Sequence, residues 1–127
     1  MRPTFLSLDE VLGFHEDQLA RYGGTPGILN LAMLESALAQ PQATFDGKFL
    51  MSDLFEMSAA YLFHVVQNHP FVDGNKRVGS VAAIVFLLTN DQDINLTDDE
   101  LESLTLKAAQ GKIDREVIAA MLRSHAA

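Results

Sequence analysis

Cysteine is missing from this chain altogether. Without it neither a disulfide framework nor a thiolate zinc site can be built, which fits a reducing compartment. Cations are scarce as well: 9 lysines and arginines stand against 17 aspartates and glutamates, for a formal charge of -8. A general nucleic-acid binder needs a basic face that displaces counterions, so that class is set aside. No apolar run reaches the roughly 18 residues of a membrane span, and Met1-Arg2-Pro3-Thr4-Phe5 lacks a signal-peptide pattern. The expectation is a soluble cytoplasmic protein with neither a nucleic-acid nor a membrane partner. Solenoid repeats, low-complexity tracts and linkers are also lacking. Residues 1–127 therefore read as one domain, and a hydrophobic content of 48% is enough to give it a core.

What is present concentrates in one place. His69-Pro70-Phe71-Val72-Asp73-Gly74-Asn75-Lys76-Arg77 packs an imidazole, a carboxylate, a glycine turn and two cations between two apolar stretches, Leu54 to Asn68 and Val78 to Leu88. Both flanks have the length and composition of core helices. Pro70 turns His69 away from helical dihedrals, so the first helix should end there and present the imidazole at its terminus. An imidazole can take up a proton near neutral pH. Gly74 permits a positive φ, and Asn75-Lys76-Arg77 should form the first turn of the next helix, where free backbone N–H groups attract phosphate. Lys76 adds a point charge and Arg77 a planar fork. Asp73 is placed to hold a divalent cation that bridges phosphates. The composite reads as a phosphoryl or nucleotidyl transfer site. Six acids fall between Asp91 and Glu102, so this loop should be locally positive on an acidic body and focus a nucleotide.

At these residues the chain resembles the Fic/Doc superfamily. Fic proteins carry H-P-F-x-D/E-G-N-G-R-x-x-R between two helices, and the death-on-curing (Doc) branch has lysine for the second loop glycine, as here at Lys76. Ser80 stands where the longer pattern has its last arginine, a further step away from AMP-transferring members. The segment from Arg21-Tyr22-Gly23-Gly24 through Gly27 to Leu34-Glu35-Ser36-Ala37-Leu38 and Pro41 is similar to the same branch, with Leu29 where many relatives have arginine. The resemblance implies the toxin of a toxin-antitoxin pair, an ATP-dependent protein kinase that phosphorylates a threonine of elongation factor Tu and arrests translation. In that scheme His69 is the base, Asp73 holds Mg²⁺, and Gly74, Asn75, Lys76 and Arg77 cradle the transferred phosphate. It further implies a cognate antitoxin whose disordered C-terminal segment folds beside the N-terminal helices. AMP transfer to a protein hydroxyl is the alternative, and a catalytically inactive binding module is a third reading from a different class.

The rest of the chain reads as an all-α helical bundle of about six helices with a short flap. Ser7-x-x-Glu10 and Thr97-x-x-Glu100 are capping boxes, the first opening a helix that ends near Tyr22, the second one that closes at Gly111. Asn30 should cap a short helix stopped by Pro41, Ser52-Asp53 should open the central helix, and Asp114 to about Ser124 should form the last. Asp46-Gly47 between Thr44-Phe45 and Phe49-Leu50 signals a hairpin-like flap. In the family the equivalent flap holds the target segment, which makes Thr44, Phe45, Asp46 and Gly47 the expected target contacts. Phe71 is expected to anchor the loop with a buried ring, Phe49 to cover the core, and Tyr61, Phe63 and Phe86 to lie inside it. His64 and His69 are five apart and on different helix faces, so they make a poor zinc pair, and His64 is read as a core histidine. His15 and His125 are expected to be exposed. Ser52-x-x-x-Glu56 nearly matches the Fic inhibitory motif, but Met57 takes the Gly/Asn position, so control is expected in trans.

Overall fold

A computed structural model describes residues 2–127. The Ser7 hydroxyl accepts the Glu10 amide at 3.1 Å while the Glu10 carboxylate accepts the Ser7 amide at 3.0 Å. Helix α1 (Leu8–Tyr22) therefore begins in the capping box that the spacing predicts, and it stops at Gly23 with φ of 78°. Asn30 caps α2 (Leu31–Ala39), which runs on into a single 3-10 turn, Gln40–Gln42, around Pro41. Strands β1 (Thr44–Phe45) and β2 (Lys48–Phe49) pair antiparallel with Thr44 opposite Phe49. Asp46 and Gly47 both take positive φ, 54° and 77°, as a two-residue hairpin turn of the primed kind requires. Four more helices follow: α3 (Leu54–Asn68), α4 (Asn75–Thr89), α5 (Asp98–Ala109) and α6 (Arg115–Ser124). The fold is thus all-α with a small flap, as expected.

Helix α3 is the hub, because its apolar residues occupy most of its circumference and must be covered from both sides. Helices α1, α2 and α4 close one side of the core around Met57, Tyr61 and Val65. Helices α5 and α6 close the other around Ala59, Leu62 and Val66. Helix α4 folds back along α3 at close range: a Cβ at Gly79 would stand 3.0 Å from Val66 Cγ2 and 3.2 Å from the Leu62 carbonyl. Ser58, buried between them, donates its hydroxyl proton to the Ala83 carbonyl at 2.8 Å. This close pairing fixes the short loop 69–74 that joins the two helices. Among the described residues, no helix is long and apolar enough to cross a membrane.

Tyr61 ties the N-terminal segment to the hub, its phenol oxygen accepting the Leu6 amide at 3.0 Å. Burial pushes that phenol up to about 12, against an ordinary value of 10.0. A raised acid is protonated in both states below pH 10, whereas above it the unfolded chain ionises first. Stability should therefore fall as pH rises from 10 toward 12, and Tyr61→Phe should flatten that fall. Thermal melts between pH 9 and 12 check both, and equal slopes for the two proteins would refute the assignment.

One aromatic expectation and one histidine need correction. Phe63 is only half-buried, its ring edge-on to His64 at 5.2 Å and packed at the edge of the α5–α6 side of the core. Phe49 is partly covered, meeting Phe5 at 5.6 Å, as expected of core cover. His125 is mostly covered, with Nε2 3.0 Å from the Glu100 carboxylate and Nδ1 2.9 Å from the Met121 carbonyl. The Met121 carbonyl first, and then Glu100, hold its imidazole above the ordinary histidine value.

Candidate active site

The end of α3 and the start of α4 face each other across loop 69–74. Helix α3 closes at His69, whose amide still reaches the Val65 carbonyl at 3.2 Å while its own backbone sits in the left-handed region at φ 47° and ψ 54°. Pro70 does move His69 out of the right-handed helix, but into the left-handed turn of a helix C-terminus rather than into an extended conformation. A non-glycine residue there carries strain of order 1 kcal/mol or more. His69 is exposed. Gly74, at φ 84°, opens α4, and no side chain caps that end. The first amides of α4 therefore have no side-chain partner, and the positive end of the helix dipole lies behind them.

Asn75 holds these two ends together. Its Oδ1 accepts the Phe71 amide at 2.9 Å and its Nδ2 donates to the Phe71 carbonyl at 3.0 Å. That pair fixes which end of the amide is which, so the 3.1 Å contact from Nδ2 to His69 Nδ1 is a donation. The neutral imidazole then carries its proton on Nε2. Phe71 is fully buried between these contacts, with its ring stacked on His15 at a centroid distance of 3.9 Å and an angle of 13°.

Asp73 is exposed, and each of its carboxylate oxygens accepts a backbone amide, Oδ1 from Gly74 at 2.9 Å and Oδ2 from Thr25 at 3.2 Å. The Thr25 and Gly74 amides, with smaller help from Arg77 and Lys76, hold its pKa below the ordinary carboxylate value. Asp73 is thus an anion at any physiological pH. Lys76 is exposed and makes no ion pair among the described residues. The Arg77 guanidinium lies 5.0 Å from the Tyr22 ring centroid and donates to the Gly23 carbonyl at 3.4 Å. One contact of that length leaves most of its five donors free. Ser80 donates back to the Arg77 carbonyl at 3.0 Å and adds no cation.

These groups line one cleft of about 550 Å³, whose walls include His69, Asp73, Gly74, Asn75, Lys76 and Arg77. The loop after α1 completes it. The Val72 amide donates to the Gly27 carbonyl at 3.0 Å and the Leu29 amide to the Pro70 carbonyl at 2.8 Å, so residues 23–30 run along the motif as a brace. Gly24 belongs to that brace for a steric reason: a Cβ there would stand 2.9 Å from Asp73 Oδ2 and 2.8 Å from Leu19. The brace and Tyr22 were not foreseen as site residues. Neither was His15, which is 7% exposed and has Nε2 2.9 Å from the Asp73 carbonyl. The expectation that it is exposed is wrong because α1 packs on the loop with the face that carries Val11 and His15. That one-turn spacing was the available signal.

Thr44, Phe45, Asp46 and Gly47 are exposed and lie outside the cleft lining. Arg115 donates to the His64 Nε2 at 3.3 Å, and burial, then Arg115, lowers the pKa of that imidazole. Among the described residues no cluster of three metal-ligating side chains exists. Glu56 accepts the Ser52 amide at 2.7 Å at the start of α3. A helix of that length spans roughly 20 Å, so the Ser52–Glu56 pair stands at the far end from His69.

The Fic/DOC family model matches residues 5–87, a range that includes the whole loop and nearly all of α4. A protein of Escherichia phage P1 named protein kinase doc is 35% identical over 118 residues, which cover 93% of this chain and 92% of that one. Toxin Doc of Mycolicibacterium smegmatis is 35% identical over 108 residues, 84% of this chain and 83% of its own.

Proposed function

This chain belongs to the Fic/DOC family, and from that premise we propose that it is a Doc-like toxin, an ATP-dependent kinase that phosphorylates a threonine of elongation factor Tu in the cytoplasm. The observation that carries the proposal is the cleft itself: an exposed imidazole opposite an uncapped helix N-terminus flanked by Lys76 and Arg77. The first amides of α4, Lys76 and Arg77 would seat the γ-phosphate and oppose the charge that spreads over its oxygens in transfer. His69 would take the proton of the target hydroxyl. Its neutral ring carries hydrogen on Nε2 while Asn75 occupies Nδ1, so the ring has to leave Asn75 or change tautomer as the target arrives.

Asp73 suits Mg²⁺. Each carboxylate oxygen keeps a lone pair beyond its backbone contact, and the ion commonly takes one or two carboxylates with phosphate oxygens and water instead of an all-protein cage. Bound there, it would neutralise phosphate charge. The exposed flap residues Thr44, Phe45, Asp46 and Gly47, with Phe45 76% exposed, are the proposed contact for the target segment. A cognate antitoxin would cover the apolar side chains Ile28, Leu29, Leu31 and Met33 beside the N-terminal helices.

The deciding experiment mixes the protein, Mg²⁺ and elongation factor Tu with ATP labelled at the γ- or the α-phosphate. Label from the γ-position only is expected, and it should vanish when the product of the neighbouring reading frame is added. Label from the α-position would move the protein to AMP transfer. Label from neither would favour a binding module.

A further inference from the structure

We propose that His15 is a positioning residue of the cleft, holding from within α1 the peptide on which the Asp73 carboxylate is mounted. The metal and phosphate consequences rest on the functional reading above, but the geometric claim does not.

An aliphatic side chain would satisfy the stripe on which His15 lies, since Val11 one turn earlier is fully buried. The imidazole does three things that such a residue would not. Its face lies flat on Phe71 at 3.9 Å. Its Cδ2 edge packs on Gly74, where an added Cβ would stand 3.5 Å away. Its Nε2, 2.9 Å from the Asp73 carbonyl, must donate, because a carbonyl only accepts.

The peptide that joins Asp73 to Gly74 is planar, so its carbonyl and its N–H turn as one unit. At one edge of that plane His15 holds the carbonyl; at the opposite edge the Gly74 amide holds Asp73 Oδ1 at 2.9 Å. The donor from α1 therefore sets the angle of the amide that fixes the carboxylate. It also sets the plane at the entrance of α4, where Gly74 is the residue before the first free amides. Without the donor, the stack alone leaves this peptide free to rotate, since Gly74 has no side chain to resist. The Thr25 amide on Oδ2 would be the carboxylate's one remaining backbone tether.

Three variants separate donor from packing. His15→Phe keeps an aromatic ring and removes the donor; His15→Gln keeps a donor of similar reach; His15→Leu loses both donor and stack. Amide hydrogen exchange and Mg·ADP binding by calorimetry are read beside cooperative melting. His15→Phe should exchange the Gly74 and Thr25 amides about tenfold faster and bind Mg·ADP about tenfold more weakly, the scale of one lost hydrogen bond. It should also need correspondingly more Mg²⁺ for half-maximal transfer, and His15→Gln should recover most of each loss. A folded His15→Phe with wild-type exchange at Gly74 and Thr25 would overturn the proposal. Faster exchange in His15→Phe in a protein whose wild type transfers no phosphate would leave the positioning role standing and sink the kinase reading instead. If His15→Phe fails to melt cooperatively, the same comparison is made with His15→Gln against wild type, where equal exchange and binding support the donor role and losses as large as in His15→Leu refute it.

Discussion

Replacing His69 with alanine should lower phosphoryl transfer by roughly 10²–10⁴-fold, the usual contribution of a positioned proton acceptor, while the protein still folds. The side chain is exposed, and its one polar contact is the 3.1 Å donation from Asn75. Asn75 keeps both of its bonds to Phe71 when the imidazole is gone, so no buried group is orphaned. The backbone makes a sharper version possible. His69 sits at φ 47°, where glycine is at ease and histidine is strained by roughly 1 kcal/mol or more. His69→Gly should therefore melt no lower than wild type and yet be as inactive as His69→Ala. A residue kept in a conformation that costs stability, at the mouth of a cleft, is what a functional requirement leaves behind. Label transfer and thermal melting on the two variants check the pair of statements; a toxic, soluble His69→Ala would remove the base from the mechanism.

The second large effect is structural. Phe71→Ala should cost about 3–5 kcal/mol in a urea titration, the range for deleting a buried aromatic ring. Its ring is fully buried in the core shared by α1, α2, α3 and α4, and it forms the floor on which His15 lies. A cavity there would sit directly under loop 69–74. The loss of transfer should exceed what the unfolded fraction explains, because the surviving folded protein has lost the partner that levels His15. Val72, one residue on, is 40% exposed, and Val72→Ala is the control that should change stability by well under 1 kcal/mol. A Phe71→Ala protein within 1 kcal/mol of wild type would show that the loop is held by Asn75 and the brace without the ring.

The elements that could be read from the sequence are those whose determinants are local. Ser7 with Glu10, Thr97 with Glu100 and Asp46 with Gly47 each act within a few residues, and each stands where spacing placed it. The same holds for the motif, because Gly74 and Asn75 build their turn from adjacent chain. The contacts that escaped are made across long separations: Thr25 to Asp73 spans 48 residues, Arg77 to Gly23 54, and His15 to Asp73 58. Only the packing of α1 and its following loop against the α3–α4 junction creates them. Composition was silent for the same reason about His125, whose partner Glu100 belongs to another helix.

The chain has two tyrosines and no tryptophan, and the fold separates the two to opposite situations. Tyr61 is sealed in the core, whereas Tyr22 stands on the cleft rim, 62% exposed under the Arg77 guanidinium. Near-ultraviolet emission thus carries two independent messages without any dye or label. A ligand that drew Arg77 off its ring would speak through Tyr22, and loss of the hub would speak through Tyr61, so ligand occupancy and unfolding could be followed in one cuvette and told apart with a single Tyr22→Phe variant.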